Sequence, residues 1–169
     1  MTDPDRATDD AAALRVQLGR PLRGVRGVAH HCSCGLPDVV ETAPVLEDGT
    51  PFPTLYYLTC PRATAVVSTL EAQGLMRAMT RRLAEDDELA GRYRAAHEDY
   101  LARRGRLGQD ERIAGVSAGG MPGRVKCLHV LVAHSLAAGP GANPLGDEAL
   151  DRLADWGRSG PCVAPDPPQ

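Results

Sequence analysis

The chain has 169 residues, 43% of them hydrophobic, and a formal net charge of -3, which suffices for one ordinary core and gives no global basic field for nucleic acid or anionic membranes. Of its 19 basic residues only Lys126 is a lysine, and 18 glycines and 14 prolines accompany abundant alanine, the bias of a GC-rich genome. No apolar run approaches the roughly 20 residues of a membrane span, and Met1 to Asp10 is acidic and polar where a secretory leader is basic and then apolar.

Residues 1–10 read as a disordered lead to a single domain spanning about 11–156. A short helix from about Asp10 to Leu18 opens that domain, with Leu14 and Leu18 on one face and Gly19 as its stop. Arg20, Arg23 and Arg26 then lead through Val25–Ala29 into His30-His31-Cys32-Ser33-Cys34-Gly35. Val39–Thr42 suits a short strand, and Thr54–Thr59, rich in aromatic and β-branched residues, is the best strand in the chain. Pro61 favours a helix start directly after Cys60. Helices are expected over about 61–73, 75–85 and 87–104, the last capped by Asp86 and burying Leu89, Tyr93, Ala96 and Tyr100. A glycine-rich loop at Gly115–Gly120 leads to the most apolar helix, about 122–138, whose leucines and valines point in nearly every direction and place it at the centre. Asp147 can cap a last helix to about Trp156, and residues 157–169 form a proline-rich tail expected to be disordered. The fold class is α+β: a small sheet over about residues 25–59 packed on a mainly helical remainder.

Five cysteines in a chain expected to be cytoplasmic argue for metal ligation, redox work or simple burial over a disulfide framework. Cys32 and Cys34 sit in a turn, Cys60 where a strand meets a helix N-terminus, and Cys127 in the central helix. Such boundaries can present thiolates to Zn2+ or an iron–sulfur cluster, although their spacing matches no standard ribbon or ferredoxin pattern. Cys162, in the tail, is set aside. If 122–138 is regular helix, Cys127 and His134 share a face about 10 Å apart along the axis, while His129 and Lys126 point the other way. Cys127 and His129 then could not serve one metal. Gly119 and Gly120, with Arg124 and Lys126, would make an anion site at the start of that helix, yet they lack the ending of a P-loop. His129, His134 and Glu41, the last a carboxylate close in sequence to the Cys32 turn, are the acid/base candidates.

Five phrases, Cys32 to Glu41, Asp48-Gly49-Thr50-Pro51-Phe52-Pro53-Thr54, Leu58-Thr59-Cys60-Pro61, Lys126-Cys127-Leu128-His129 and Asn143-Pro144-Leu145-Gly146, occur in order. Together they resemble a bacterial family, frequent in actinobacteria, known as domain of unknown function 501. The resemblance covers roughly residues 14–150 and implies no particular activity; it singles out Cys32, Cys60, Cys127 and His129 as matches to recurrent Cys and Cys-Leu-His motifs. The leading expectation is a metal–thiolate protein, holding Zn2+ or an iron–sulfur cluster through Cys32, Cys60 and Cys127 with Cys34 as a fourth ligand, and acting on a small or phosphorylated substrate. Two rivals stand beside it: a non-enzymatic domain with structural zinc and a protein partner, and a metal-free enzyme using Cys60 or Cys127 with a histidine base. A cysteine within hydrogen-bond reach of a histidine in an open cleft would favour the last.

Overall fold

Three short strands, β1 (Val25–His31), β2 (Pro37–Thr42) and β3 (Tyr56–Leu58), pair antiparallel in the order β1-β2-β3. The architecture is thus α+β, seen in a computed structural model that describes residues 4–164. Val40 lies opposite Val28 on one side and Tyr57 on the other, and the fully buried Val39 and Val40 make β2 the spine of the sheet.

Six α-helices complete the domain: α1 (Pro4–Leu18), α2 (Pro61–Ala72), α3 (Leu75–Glu85), α4 (Asp87–Gly105), α5 (Leu128–Ala138) and α6 (Pro144–Asp151). Asp86 caps α4 by accepting from the Leu89 amide at 2.9 Å, and Leu89, Tyr93, Ala96 and Tyr100 are buried along it. Tyr100 reaches the sheet, where its hydroxyl accepts from the Leu55 amide at 2.7 Å. α5 packs against β3, α2 and α6 and buries Leu128, Leu131, Val132 and Ala133, as expected of a central helix. Among the described residues no helix is long and apolar enough to cross a membrane.

Four boundaries differ from the sequence expectation. α1 begins at Pro4, not near Asp10, with proline in the first turn, where its missing N–H costs nothing; residues 1–3 of the lead lie outside the described residues. α5 begins at Leu128, not near Pro122, because the chain folds back on itself just before. α6 begins earlier than Asp147: Asn143 caps it, accepting from Gly146 at 3.0 Å, and Pro144 occupies its first turn. The last difference is the tail, which packs on the domain as far as it is described. Arg62 donates to the carbonyls of Trp156, Gly160 and Pro161 at 3.3, 2.7 and 3.0 Å. Gly157 lies so close to the Cys32–Cys34 turn that an added Cβ would fall 2.8 Å from the Cys34 amide nitrogen and closer still to the Ser33 hydroxyl. Residues 165–169 lie outside the described residues.

Candidate functional site

The reverse turn before α5 determines where its first side chains point. Gly119 and Gly120 adopt φ of +71° and +92°, a region that favours glycine. They let the Lys126 amide return to the Gly119 carbonyl at 2.7 Å and the Arg124 amide to the Gly120 carbonyl at 3.1 Å. A Cβ on Gly120 would lie 2.8 Å from the Arg124 carbonyl oxygen. Tyr93 donates to that oxygen at 3.0 Å, and Val125 donates to the Thr80 hydroxyl at 3.0 Å, so the turn is pinned to α4 and α3.

Cys127 consequently sits in extended backbone, φ -153° and ψ 111°, as the N-cap residue of α5. Helical rotation does not separate it from His129, and the expectation that the two face opposite ways is corrected on that ground. Cys127, His129 and Glu71 each offer a ligand atom within 4.8 Å of the other two.

Glu71 enters from α2. Thr64, Ser68 and Glu71 are spaced four and three residues apart and form one stripe of that helix. The Cys127 side chain makes no cap bond, and the Leu128 amide donates instead to Glu71 Oε1 at 2.7 Å. A carboxylate at this place also meets the positive end of the α5 dipole. His129 Nδ1 lies 3.1 Å from the same Oε1, and its Nε2 lies 3.3 Å from the Ser68 hydroxyl. Hydrogen bonding to Cys127, with the Glu71 charge behind it, outweighs partial burial and raises the His129 pKa to about 9. The ring is therefore an imidazolium near neutral pH.

Cys127 and His129 open onto a cleft of about 390 Å³ whose other walls include Tyr56, Tyr57 and Leu58 of β3 and Thr64 of α2. The site thus joins an activated histidine, a thiol and an apolar, hydroxyl-edged recess. Glu71 escaped the sequence reading. Its one local signal was an acidic residue close to the C-terminus of α2, where the helix dipole disfavours negative charge unless a partner elsewhere compensates.

The remaining sequence candidates disperse. His134 is fully buried, with Nε2 2.9 Å from Asp99 and Nδ1 3.3 Å from the Asn143 side-chain amide. It stacks on Tyr56 and meets Tyr100 edge-on, and desolvation lowers its pKa. These contacts describe a core histidine that accepts at Nδ1, donates at Nε2 and stays neutral. Glu41 lies on β2 opposite Tyr56, at the end remote from the Cys32 turn; the carboxylate near that turn is the buried Asp38, paired with His30 Nδ1 at 2.7 Å. Arg124 and Lys126 are exposed on a turn that does not lead directly into a helix. Of the amides at the start of α5, that of Leu128 is taken by Glu71, and the Arg124 and Lys126 amides return to the carbonyls of Gly120 and Gly119, so none of these three is free for the anion expected at Gly119, Gly120, Arg124 and Lys126.

Of the four cysteines expected to converge, Cys127 stands with Glu71 and His129, and among the described residues Cys32, Cys34 and Cys60 do not form a group whose ligand atoms all lie within 4.8 Å of one another. Cys60 precedes α2 and Glu71 nears its end, about 16 Å apart along the axis. Cys162 of the tail accepts from the Gln17 side-chain amide at 3.3 Å.

Comparison with known proteins agrees with the resemblance read from the sequence phrases. The family model described as Protein of unknown function (DUF501) matches residues 28–151, well over half the chain, and the chain belongs to that family. No curated protein and no solved structure matches it. The matched span contains Glu71, Cys127 and His129, while Cys162 lies beyond it.

Proposed function

We propose that this DUF501 protein is an enzyme of thiol chemistry in which Cys127 is the nucleophile, His129 its proton partner and Glu71 the group that holds His129. One observation carries the reading: the three groups meet within 4.8 Å, and two of them, Cys127 and His129, line an open cleft. The Cys127 sulfur lies beside His129 and at the N-terminus of α5, where a base and a proton donor are within reach of a nucleophile. The substrate class that suits the walls is a small activated acyl compound with an apolar or aromatic body, fitted between Tyr57, Leu58 and Thr64.

The steps balance with groups present in the site and one water. The Cys127 sulfur attacks the acyl carbon, a C–S bond forms, and the bond to the leaving group breaks as His129 supplies the leaving group with a proton. Water then gives a proton to His129 while its oxygen attacks the thioester, releasing the acid and restoring the thiolate and imidazolium. Glu71 keeps the ring charged and in place; Ser68 fixes its far nitrogen.

The test is alkylation of the full chain by iodoacetamide, read cysteine by cysteine by peptide mass spectrometry. Cys127 is expected to react faster than Cys34 at pH 7, and His129→Ala to slow it about tenfold or more. Equal rates in the parent and in His129→Ala would refute the reading. The same three groups also suit a divalent ion, so zinc lost on Cys127→Ser would favour metal chemistry at this cleft instead.

A further inference from the structure

β3 is the last strand of the sheet, so one of its edges pairs with β2 and the other pairs with no strand among the described residues. Register decides which backbone groups face that open edge. The Thr59 amide donates to the Asp38 carbonyl and the Leu55 carbonyl accepts from the Thr42 amide, both at 2.8 Å. Alternate residues Leu55, Tyr57 and Thr59 therefore turn their backbone towards β2, and the N–H and C=O of Leu58 point to the open edge. No loop or turn bond among the described residues engages either group.

This edge flanks two recesses. The first is the cleft of Cys127 and His129. The second, of about 360 Å³, lies between the end of α1 and the start of α2 and adds Gln17, Arg20 and Thr59. Tyr57, Leu58 and Thr64 line both. Because the Leu58 side chain is part of the buried core, what this residue turns to the recesses is its backbone. Arg20 stands exposed at the second recess. The arginine ion pairs of the described residues engage Arg23, Arg82, Arg103, Arg112, Arg152 and Arg158, and Arg20 is in none of them.

We propose that the two recesses form one groove for a short extended peptide, whose backbone pairs with Leu58, whose acidic residue meets Arg20 and whose activated carbonyl reaches Cys127. This peptide is the acyl part of the substrate that Cys127 attacks, and its assignment rests on that reading of Cys127. In an antiparallel pair one residue exchanges both of its backbone bonds with the residue opposite, and Leu58 offers such a donor and acceptor together. Pairing along an open edge supplies affinity for any extended chain, while the flanking recesses choose among side chains. Charge sets the direction. At the Cys127 end the imidazolium of His129 is balanced by Glu71, whereas Arg20 at the other end has no counter-charge, so the acid belongs away from the reacting carbonyl. A purely apolar acyl chain would cover the Leu58 N–H and C=O without answering them, at the cost of leaving both unsatisfied.

The experiment labels the full chain with tripeptidyl chloromethyl ketones, from which the Cys127 sulfur displaces chloride as a C–S bond forms. Three extended residues span about 10 Å. The acetyl-Glu-Val-Ala probe is compared with acetyl-Gln-Val-Ala and with the glutamate probe N-methylated at its valine amide. Each rate is read at Cys127 by peptide mass spectrometry and divided by the rate with iodoacetamide. The glutamate probe should label about threefold or more faster than the glutamine probe, and N-methylation should slow it about fivefold or more. Arg20→Gln should remove the advantage of glutamate over glutamine. Equal rates for the three probes, on a Cys127 whose iodoacetamide reaction depends on His129, would overturn the groove and leave the nucleophile standing. Equal iodoacetamide rates in the parent and in His129→Ala would overturn the nucleophile itself. A glutamate advantage retained in full by Arg20→Gln would overturn the placing of the acid.

Discussion

Replacing Glu71 with glutamine isolates the charge on which the His129 reading depends. Glutamine keeps a carbonyl oxygen for the Leu128 amide and nearly the same volume, so the cap of α5 survives while the anion beside the imidazolium disappears. The interval between the ordinary 6.5 and about 9 for His129 corresponds to about 3 kcal/mol of preference for the charged ring. That preference is shared between Cys127, whose hydrogen bond is the largest cause, and Glu71. With His129 a quarter exposed, solvent screening reduces the part lost with Glu71 to about 1 kcal/mol. The sign follows from linkage: a raised histidine pKa stabilises the fold fully below 6.5, and that stabilisation is lost as pH rises through about 9. Urea unfolding from pH 6 to 10 should therefore show Glu71→Gln about 1 kcal/mol less stable at pH 6, with the gap shrinking above pH 9. NMR titration should find His129 moved from about 9 towards 6.5 without reaching it, since the bond to Cys127 remains. A His129 titration unchanged by the substitution, or a stability gap independent of pH, would refute the arrangement.

Three further outcomes follow from the same contacts. Gly120→Ala forces a side chain into positive φ against the Arg124 carbonyl; a cost of about 1–3 kcal/mol should appear in thermal unfolding, with slower alkylation of Cys127 as the turn that aims it is displaced. Arg104, buried on α4, donates to the carbonyls of Pro53, Ile113 and Val116 at 2.9, 2.7 and 2.8 Å, so Arg104→Met should cost about 3 kcal/mol in chemical denaturation, and a loss below 1 kcal/mol would contradict these bonds. His134→Gln should destabilise by about 2 kcal/mol yet leave the pH profile of Cys127 alkylation unchanged, which a proton-carrying role could not do. Because burial lowers the His134 pKa, its contribution to the parent's stability should be full above 6.5 and fade as pH falls below it.

What the sequence disclosed, and where it failed, follow from the range of the interactions involved. The strand before Cys60, the proline start of α2 and the Asp86 cap of α4 are local decisions, each set by a few adjacent residues, and all were readable. The start of α5 was not. Its apolar run extends the helical pattern, while the left-handed Gly119 and Gly120 close a turn whose consequence appears eight residues later, when Cys127 emerges in extended backbone. One misplaced helix start was enough to set Cys127 and His129 on opposite faces and to hide the site. Glu71 could not be found from its own segment, because its value lies in an amide 57 positions away. Cys162 was obscured by composition: prolines and glycines around it resemble disorder, although here they shape a segment fastened by Arg62 and fitted against Ser33. The Cys127 site therefore combines two residues that one local phrase carries with a third, Glu71, supplied by a distant segment. That division explains why the family-like phrases located Cys127 and His129 yet could not supply Glu71.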